Sequence, residues 1–378
     1  MHRLRPRTWV CSILPLISLL ALLAAPADAI PAFARKAGAQ CSVCHDVYPK
    51  LNPFGRAFKE AGFVFPGEPV DWLKTIEKIP LSARTEIDIT VRDDQSGEFF
   101  FTKPIVAGNL GNRISFWVDR VLGVFGTQPG EGTDLDFEDF GSDNAWVRLN
   151  AGPAFYVKGG KFELDLPYSS TRNYNLFTYE PWVTSSSGNA TLLGVAQKGF
   201  ELGGNHQRWR YSLAVVEGED FERDDFDGDI YVRVARDIDV HRIGGFAYFG
   251  ENTQEAFENQ EFTNEFRRFG FDAEARVGRL DLHGVWMRAT DDQPFPGAAE
   301  VSFNSGFVQG DVKLGALFQW TNRIGFVDFE DDPDGARTNY YLGLQHWALG
   351  LRMRLAIEYG WLEGSRPDTF QFAGTYVF

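Results

Sequence analysis

Two cysteines and a histidine stand together in the run Cys41-Ser42-Val43-Cys44-His45. Thiols at this spacing can form thioethers to the two vinyl groups of a haem, and the adjacent imidazole can then reach the iron. Three other chemistries use such a pair: a structural disulfide, a thioredoxin-like redox couple and half of a zinc site. The chain holds 3 Cys, the third being Cys11, so no second pair completes a zinc site. No βαβ pattern surrounds the motif, which argues against a thioredoxin-like couple. The spacing predicts one covalent haem c on Cys41 and Cys44, with His45 as an axial iron ligand. A disulfide is the plainer alternative.

The residues that follow can position this motif. Asn52 can cap a helix, Pro53 suits its first turn and Gly62 suits the position past its end. Between them Phe54, Ala57, Phe58 and Ala61 fall on one apolar stripe, expected to pack on the porphyrin. The segment 30–79 contains no second His and no Met. The sixth iron position is therefore vacant or filled from elsewhere in the chain. About 50 residues cannot hold a stable core alone, so this segment must dock into something.

Ahead of it, Arg3, Arg5 and Arg7 precede an apolar stretch from Trp9 to Ala25, and Ala27-Asp28-Ala29 is a small-x-small cleavage site. Residues 1–29 read as a secretory signal peptide. Their loss removes three Arg and one Asp, which takes the formal charge from −15 to −17. That charge argues against nucleic acid and for cationic partners. With 44% hydrophobic and 24% charged residues in 378, the chain is neither disordered nor collagen-like. Mean hydropathy is −0.25, and no run of 18 apolar residues follows the N-terminus. A helical membrane protein is excluded. The 34 Phe and 39 Gly suit a β-rich chain instead.

From Leu81 onward the residues alternate. Ile87, Ile89 and Val91 face away from Glu86, Asp88 and Arg92; Phe269 and Phe271 face away from Asp272 and Glu274; Ile357, Tyr359 and Trp361 face away from Glu358. Short turns near 108–112, 151–154, 205–208, 237–242, 277–280, 310–313 and 347–350 alternate with longer segments. The longer ones are 93–97, 123–142, 165–196, 217–226, 251–265, 290–300, 324–337 and 362–368. That pattern is the mark of an outer-membrane barrel with short periplasmic turns and long outer loops. The expected fold is all-β: a transmembrane antiparallel β-barrel of about 16 strands over 80–378, with 30–79 as a small helical monohaem cytochrome c segment acting as a plug.

Strand faces also sort the candidates for the sixth ligand. His283 and Met287 share a face with Asp281 and point into the lumen, which makes them weak candidates. Met353 lies with Leu351 and Leu355 on the lipid side and is discarded; His206, His241 and His346 lie in or near turns. Three acidic runs fall in outer loops. They hold Glu131 to Asp139, Glu217 to Asp225 and Asp328 to Asp334. Each is either a solvated surface or part of a negative funnel that concentrates a cation.

The segment Pro31-Ala32-Phe33-Ala34-Arg35-Lys36, the motif at 41–45, and the run Pro49-Lys50-Leu51-Asn52-Pro53-Phe54-Gly55-Arg56-Ala57-Phe58-Lys59 through Gly62 resemble the fused monohaem cytochrome–porin family. The resemblance is specific over about 30–65 and architectural beyond. It implies a bacterial outer-membrane oxidoreductase that takes electrons from extracellular iron(II), or another small reductant. A single haem, in the lumen or on the periplasmic side, would serve a periplasmic cytochrome or other electron carrier, with outer-membrane lipid around the barrel. Only Cys41, Cys44 and His45 carry over as haem residues. The alternative of another class is a diffusion porin with a haem-containing plug or gate. Replacing Cys41 and Cys44 by Ser should leave a chain with no haem stain after denaturing electrophoresis; a retained stain would end the haem reading.

Overall fold

In the computed structural model the described residues are 33, 39–64, 81–92, 95–111, 113–127, 144–152, 154–168, 193–218, 228–256, 260–330, 332–348, 351–362 and 368–377. The signal-peptide expectation over 1–29 lies outside them. So do the residues 131–139 of the first acidic run and 219–225 of the second.

The chain first forms one 3-10 turn at Cys41–Val43, then a two-stranded hairpin of β1 (His45–Val47) and β2 (Lys50–Leu51), then helix α1 (Pro53–Glu60). A closed barrel follows. Its strands are β3 (Leu81–Arg92), β4 (Gln95–Leu110), β5 (Ile114–Asp119), β6 (Leu122–Thr127), β7 (Asn144–Gly152), β8 (Phe155–Glu163), β9 (Ala196–His206) and β10 (Trp209–Val216). They continue as β11 (Asp229–Ile238), β12 (His241–Ala256), β13 (Gln260–Val277), β14 (Leu280–Asp291), β15 (Val301–Lys313), β16 (Phe318–Phe329), β17 (Asp332–Ala348), β18 (Met353–Leu362) and β19 (Thr369–Val377). Every pairing is antiparallel, and β19 closes on β3 from Arg84↔Val377 to Arg92↔Thr369. β5 and β6 are two halves of one broken strand, since β4 pairs with β5 over Ile105–Leu110 and with β6 over Glu98–Thr102. The barrel is therefore sixteen-stranded and closes on itself.

Alternation sorts the two faces of the wall. On β14, Asp281, His283, Val285, Met287, Ala289 and Asp291 are buried inside, whereas Leu282 and Trp286 are exposed outside. β9, β11 and β18 repeat this with Phe200, Val234 and Ile357 outward and Glu201, Arg233 and Glu358 inward. An apolar exterior around a charged interior is what a lipid-embedded barrel requires. No helix among the described residues is long and apolar enough to cross a membrane. A barrel of this size ordinarily leaves an aqueous channel. Here Tyr231, Tyr248, Phe266, Phe303 and Phe307 on the inner wall are fully buried, so the lumen is crowded at their level.

Several boundaries differ from those the sequence suggests. The segment 310–313 lies within β15, and β17 runs on through Ala348. The expected loops 251–265 and 324–337 are mostly strand: β12 and β13 pair out to Ala256↔Gln260, and β16 and β17 out to Phe329↔Asp332. Beyond the lipid neither face need be apolar, so runs such as Glu251-Asn252-Thr253 carry no alternation although they are paired. Leu351 is not on the lipid side. It occupies a turn with φ of 71° and packs inward with Cys41, Val47 and Trp347.

The connections at one end are short, and those at the other include the stretch between β10 and β11 and that between β8 and β9. A protease tag inserted between Glu219 and Asp225 should be cut on intact cells, whereas one at Asn205–Arg208 should be spared. The reverse result would invert the barrel.

Candidate functional site

Asn52 builds the corner on which the Cys-x-x-Cys-His motif rests. Its side-chain oxygen accepts from the Gly55 amide at 2.9 Å and caps α1, while its Nδ2 donates to the Val43 carbonyl at 3.0 Å. Its own amide donates to the Cys44 carbonyl at 3.0 Å. Gly55 packs so close that a Cβ there would lie 2.0 Å from that same carbonyl oxygen. At the far end the Phe63 amide donates to Phe58 O at 2.9 Å and that of Gly62 to Lys59 O at 3.0 Å, with Gly62 at φ of 74°. This Schellman closure brings the rings of Phe58 and Phe63 to 5.8 Å.

The segment is fastened to the inner wall by charge. Lys50 Nζ lies 2.6 Å from Asp281 and 3.1 Å from Asp311, all three buried. Burial alone would lower the Lys50 pKa, but Asp311 and Asp281 outweigh it and hold it above its ordinary value. Arg56 meets Glu274 at 2.6 Å, and Glu60 meets Arg210 at 2.8 Å and Arg242 at 2.9 Å. Asp46 meets Arg276 at 2.6 Å and Lys313 at 3.1 Å, and Trp347 Nε1 donates to Tyr48 O at 2.7 Å. These partners flank the short connections, so residues 39–64 lie against the wall near that end of the barrel.

Cys41, Cys44 and His45 line one cavity of about 1530 Å³, open to solvent. Phe58 and Phe63 face it from the segment, and Ile105, Ala107, Trp117 and Leu351 face it from the wall. It extends from the Leu351–Arg352 turn to Asn144 and Glu163, at the outer ends of β7 and β8. The two thiols form no disulfide, and burial raises the pKa of each. His45 Nδ1 lies 3.1 Å from the Pro49 carbonyl and donates to it, which leaves Nε2 as the unprotonated nitrogen. Desolvation pushes its pKa down to about 4 against the pull of hydrogen bonds to the Pro49 and Lys50 backbone and of the Asp46 charge, so the ring is neutral at pH 7.

Not every expected site residue is brought here. Of the apolar stripe only Phe58 lines the cavity; Phe54, Ala57 and Ala61 are exposed, because Gly55 and Phe58 form the face turned inward. His283 and Met287 do point into the lumen, yet neither lines this cavity. His283 Nε2 lies 3.4 Å from Lys50 Nζ beside a separate cavity of about 850 Å³, and Met287 is wholly buried in the aromatic core. His45 is the sole imidazole among the described lining residues, and none of them is a methionine. Arg84, Lys103, Trp117 and Arg352 also line it, and nothing in the sequence pattern singled them out. Of the described acidic loop residues, Glu217 pairs with Lys198 and Glu330 with Arg288. Among the described residues no group of three His, Cys, Asp or Glu could hold a free metal ion.

Solved structures share this architecture. The anion-selective porin of Comamonas acidovorans superposes with a TM-score of 0.60 at 12% identity, covering 79% of this chain and 99% of its own. OmpT of Vibrio cholerae gives 0.55 at 11%, covering 79% and 99%. Salmonella typhi OmpF, solved with daunomycin, gives 0.56 at 10%, covering 80% and 98%. The fold is that of an outer-membrane porin. No family model matches the chain, and no curated protein matches it either.

The contact between Gly55 and Cys44 tests whether helix and motif form one unit in this porin-like barrel. Gly55→Ala must push α1 off the Cys44 carbonyl, an overpacking that costs about 1–3 kcal/mol. The variant should melt earlier than Ala57→Ser, which alters an exposed site. Equal melting would mean that the two pieces are independent.

Proposed function

We propose that this barrel sits in the bacterial outer membrane and passes electrons from extracellular iron(II), or another small reductant, to a periplasmic cytochrome or comparable carrier. Cys41 and Cys44 would hold one haem c through thioethers, with His45 Nε2 as axial ligand. Bound there, haem c supplies reversible one-electron chemistry. The observation that carries this reading is the single cavity shared by Cys41, Cys44 and His45 and rising from the short-turn end part-way up the wall, to the level of Asp119 and Asn144.

The residues present fit that group. The Pro49 carbonyl fixes the His45 tautomer in which Nε2 can ligate iron. Phe58, Phe63, Ile105 and Trp117 offer apolar surface that excludes water. The ion pairs of Asp46, Lys50, Arg56 and Glu60 hold the segment still against the wall. Each iron(II) gives up one electron and is left as iron(III), which is insoluble near neutral pH and best kept outside the cell. The acidic outer loops would raise the local concentration of the cation.

The second reading is a diffusion porin with the segment Cys41–Phe63 as plug or gate. Likeness to porins favours it more directly than it favours electron transfer. Burial of Tyr231, Tyr248 and Phe303 on the inner wall weighs against a wide open channel.

Rapid mixing of purified protein with iron(II) should reduce the haem, seen by its absorbance, faster than a bulky reductant does. Replacing Glu217, Glu219, Asp220, Glu222, Asp224 and Asp225 by Asn or Gln should slow the iron step at low salt, an effect that shrinks as the Debye length falls from about 10 Å at 0.1 M to about 3 Å at 1 M. Planar-bilayer conductance should be small. A large conductance with no reduction by iron(II) would establish the plugged-porin reading in its place.

A further inference from the structure

Pro49 supplies the acceptor for His45, its carbonyl lying 3.1 Å from Nδ1. Proline has no N–H, so it cannot anchor its own peptide through a donor. Its carbonyl is held only as firmly as the two neighbouring residues are. Both neighbours are tied to the barrel wall. On one side Tyr48 O accepts from Trp347 Nε1 at 2.7 Å, from 299 residues away in the chain. On the other side Lys50 Nζ lies 2.6 Å from Asp281 and 3.1 Å from Asp311. Trp347, on β17, is fully buried and packs with Cys41, Val47 and Leu351, and Tyr48 packs against the same group. Its backbone is fixed in turn, since its amide donates to Leu317 O at 2.8 Å. One wall side chain therefore touches the chain on both sides of His45, and the Tyr48 ring lies 5.5 Å from the His45 ring. A phenyl ring would fill such a site as an apolar body. A buried indole also needs a partner for its N–H, and here that partner is a carbonyl of the loop after the Cys-x-x-Cys-His motif.

We infer that Trp347 is a positioning residue for the axial ligand: through Tyr48 O it holds the Pro49 carbonyl where His45 Nδ1 donates to it. This rests on the haem reading above. An imidazole whose outer N–H is hydrogen-bonded is the more basic ligand, and a more basic ligand favours oxidised iron. Through this chain of contacts the barrel wall takes part in setting the redox potential. Lys50 clamps the other flank, but removing it would leave two buried carboxylates without their cation, so Trp347 is the side to test.

The test uses purified full-length holoprotein, with a midpoint potential and a ferric electron paramagnetic resonance spectrum at pH 7. Trp347→Phe keeps a buried ring and removes the donor. Benzothienylalanine in place of Trp347 keeps the shape of the indole with sulfur for N–H, and decides the matter if the Phe variant does not fold. In either protein the midpoint potential should rise and the g-values should move, because a slackened Pro49 carbonyl weakens the hydrogen bond from Nδ1. Phe307→Leu, which alters a buried wall ring beside Tyr168, should leave both at their wild-type values. Earlier melting with unchanged potential and g-values would mean that Trp347 only packs, and would overturn the inference while leaving the haem reading intact. Equal shifts in Phe307→Leu would overturn it too. A wild-type chain with no haem stain would overturn the haem reading itself, and this inference with it.

Discussion

The whole arrangement hangs on charge buried between one short segment and a barrel wall. Lys50 is enclosed by Asp281 and Asp311, and Glu60 is shared by Arg210 and Arg242. Burying such pairs contributes little net stability, because desolvation offsets the attraction. Separating them is another matter, since one buried partner left alone costs about 3–5 kcal/mol. The pairs therefore act less as glue than as a key. Any other seating of residues 39–64 would leave several ions unmatched, so the motif meets the wall in one register.

The same residues show how far a sequence can be read. The barrel was legible because lipid imposes a periodicity of two on every strand that crosses it, as on β14 and β18. It became illegible where lipid ends, as in the paired extensions of β12 with β13 and of β16 with β17. The helix after the motif announced itself through Asn52, Pro53 and Gly62, each of which solves a local problem at a helix end. Which face of that helix turns inward did not follow. The apolar stripe of Phe54, Ala57, Phe58 and Ala61 suggested one face, but a close backbone contact at Gly55 selected another. Nor could pattern foresee Arg84 and Lys103 as neighbours across a strand pair, because register between distant residues is written in turns and closure.

Fold and chemistry are carried by separate parts of this chain. The wall resembles porins at 10–12% identity, so it constrains architecture and little else. Its inner face, however, is not that of an empty pipe. Fully buried Tyr, Phe and Arg side chains occupy the lumen level by level, with pairs such as Arg268–Asp291 at 2.8 Å satisfying charges away from water. The short segment supplies what the wall lacks: two thiols, a neutral imidazole and the rings of Phe58 and Phe63.

A wall that closes on itself also restricts the way in. Cys41 is buried and Cys44 half-buried, and the strand ladder around them is continuous from β3 to β19. No catalyst the size of a protein can reach those sulfur atoms through such a wall. Chemistry on the thiols that needs one must therefore come by the open mouth of the cavity and not across the strand ladder.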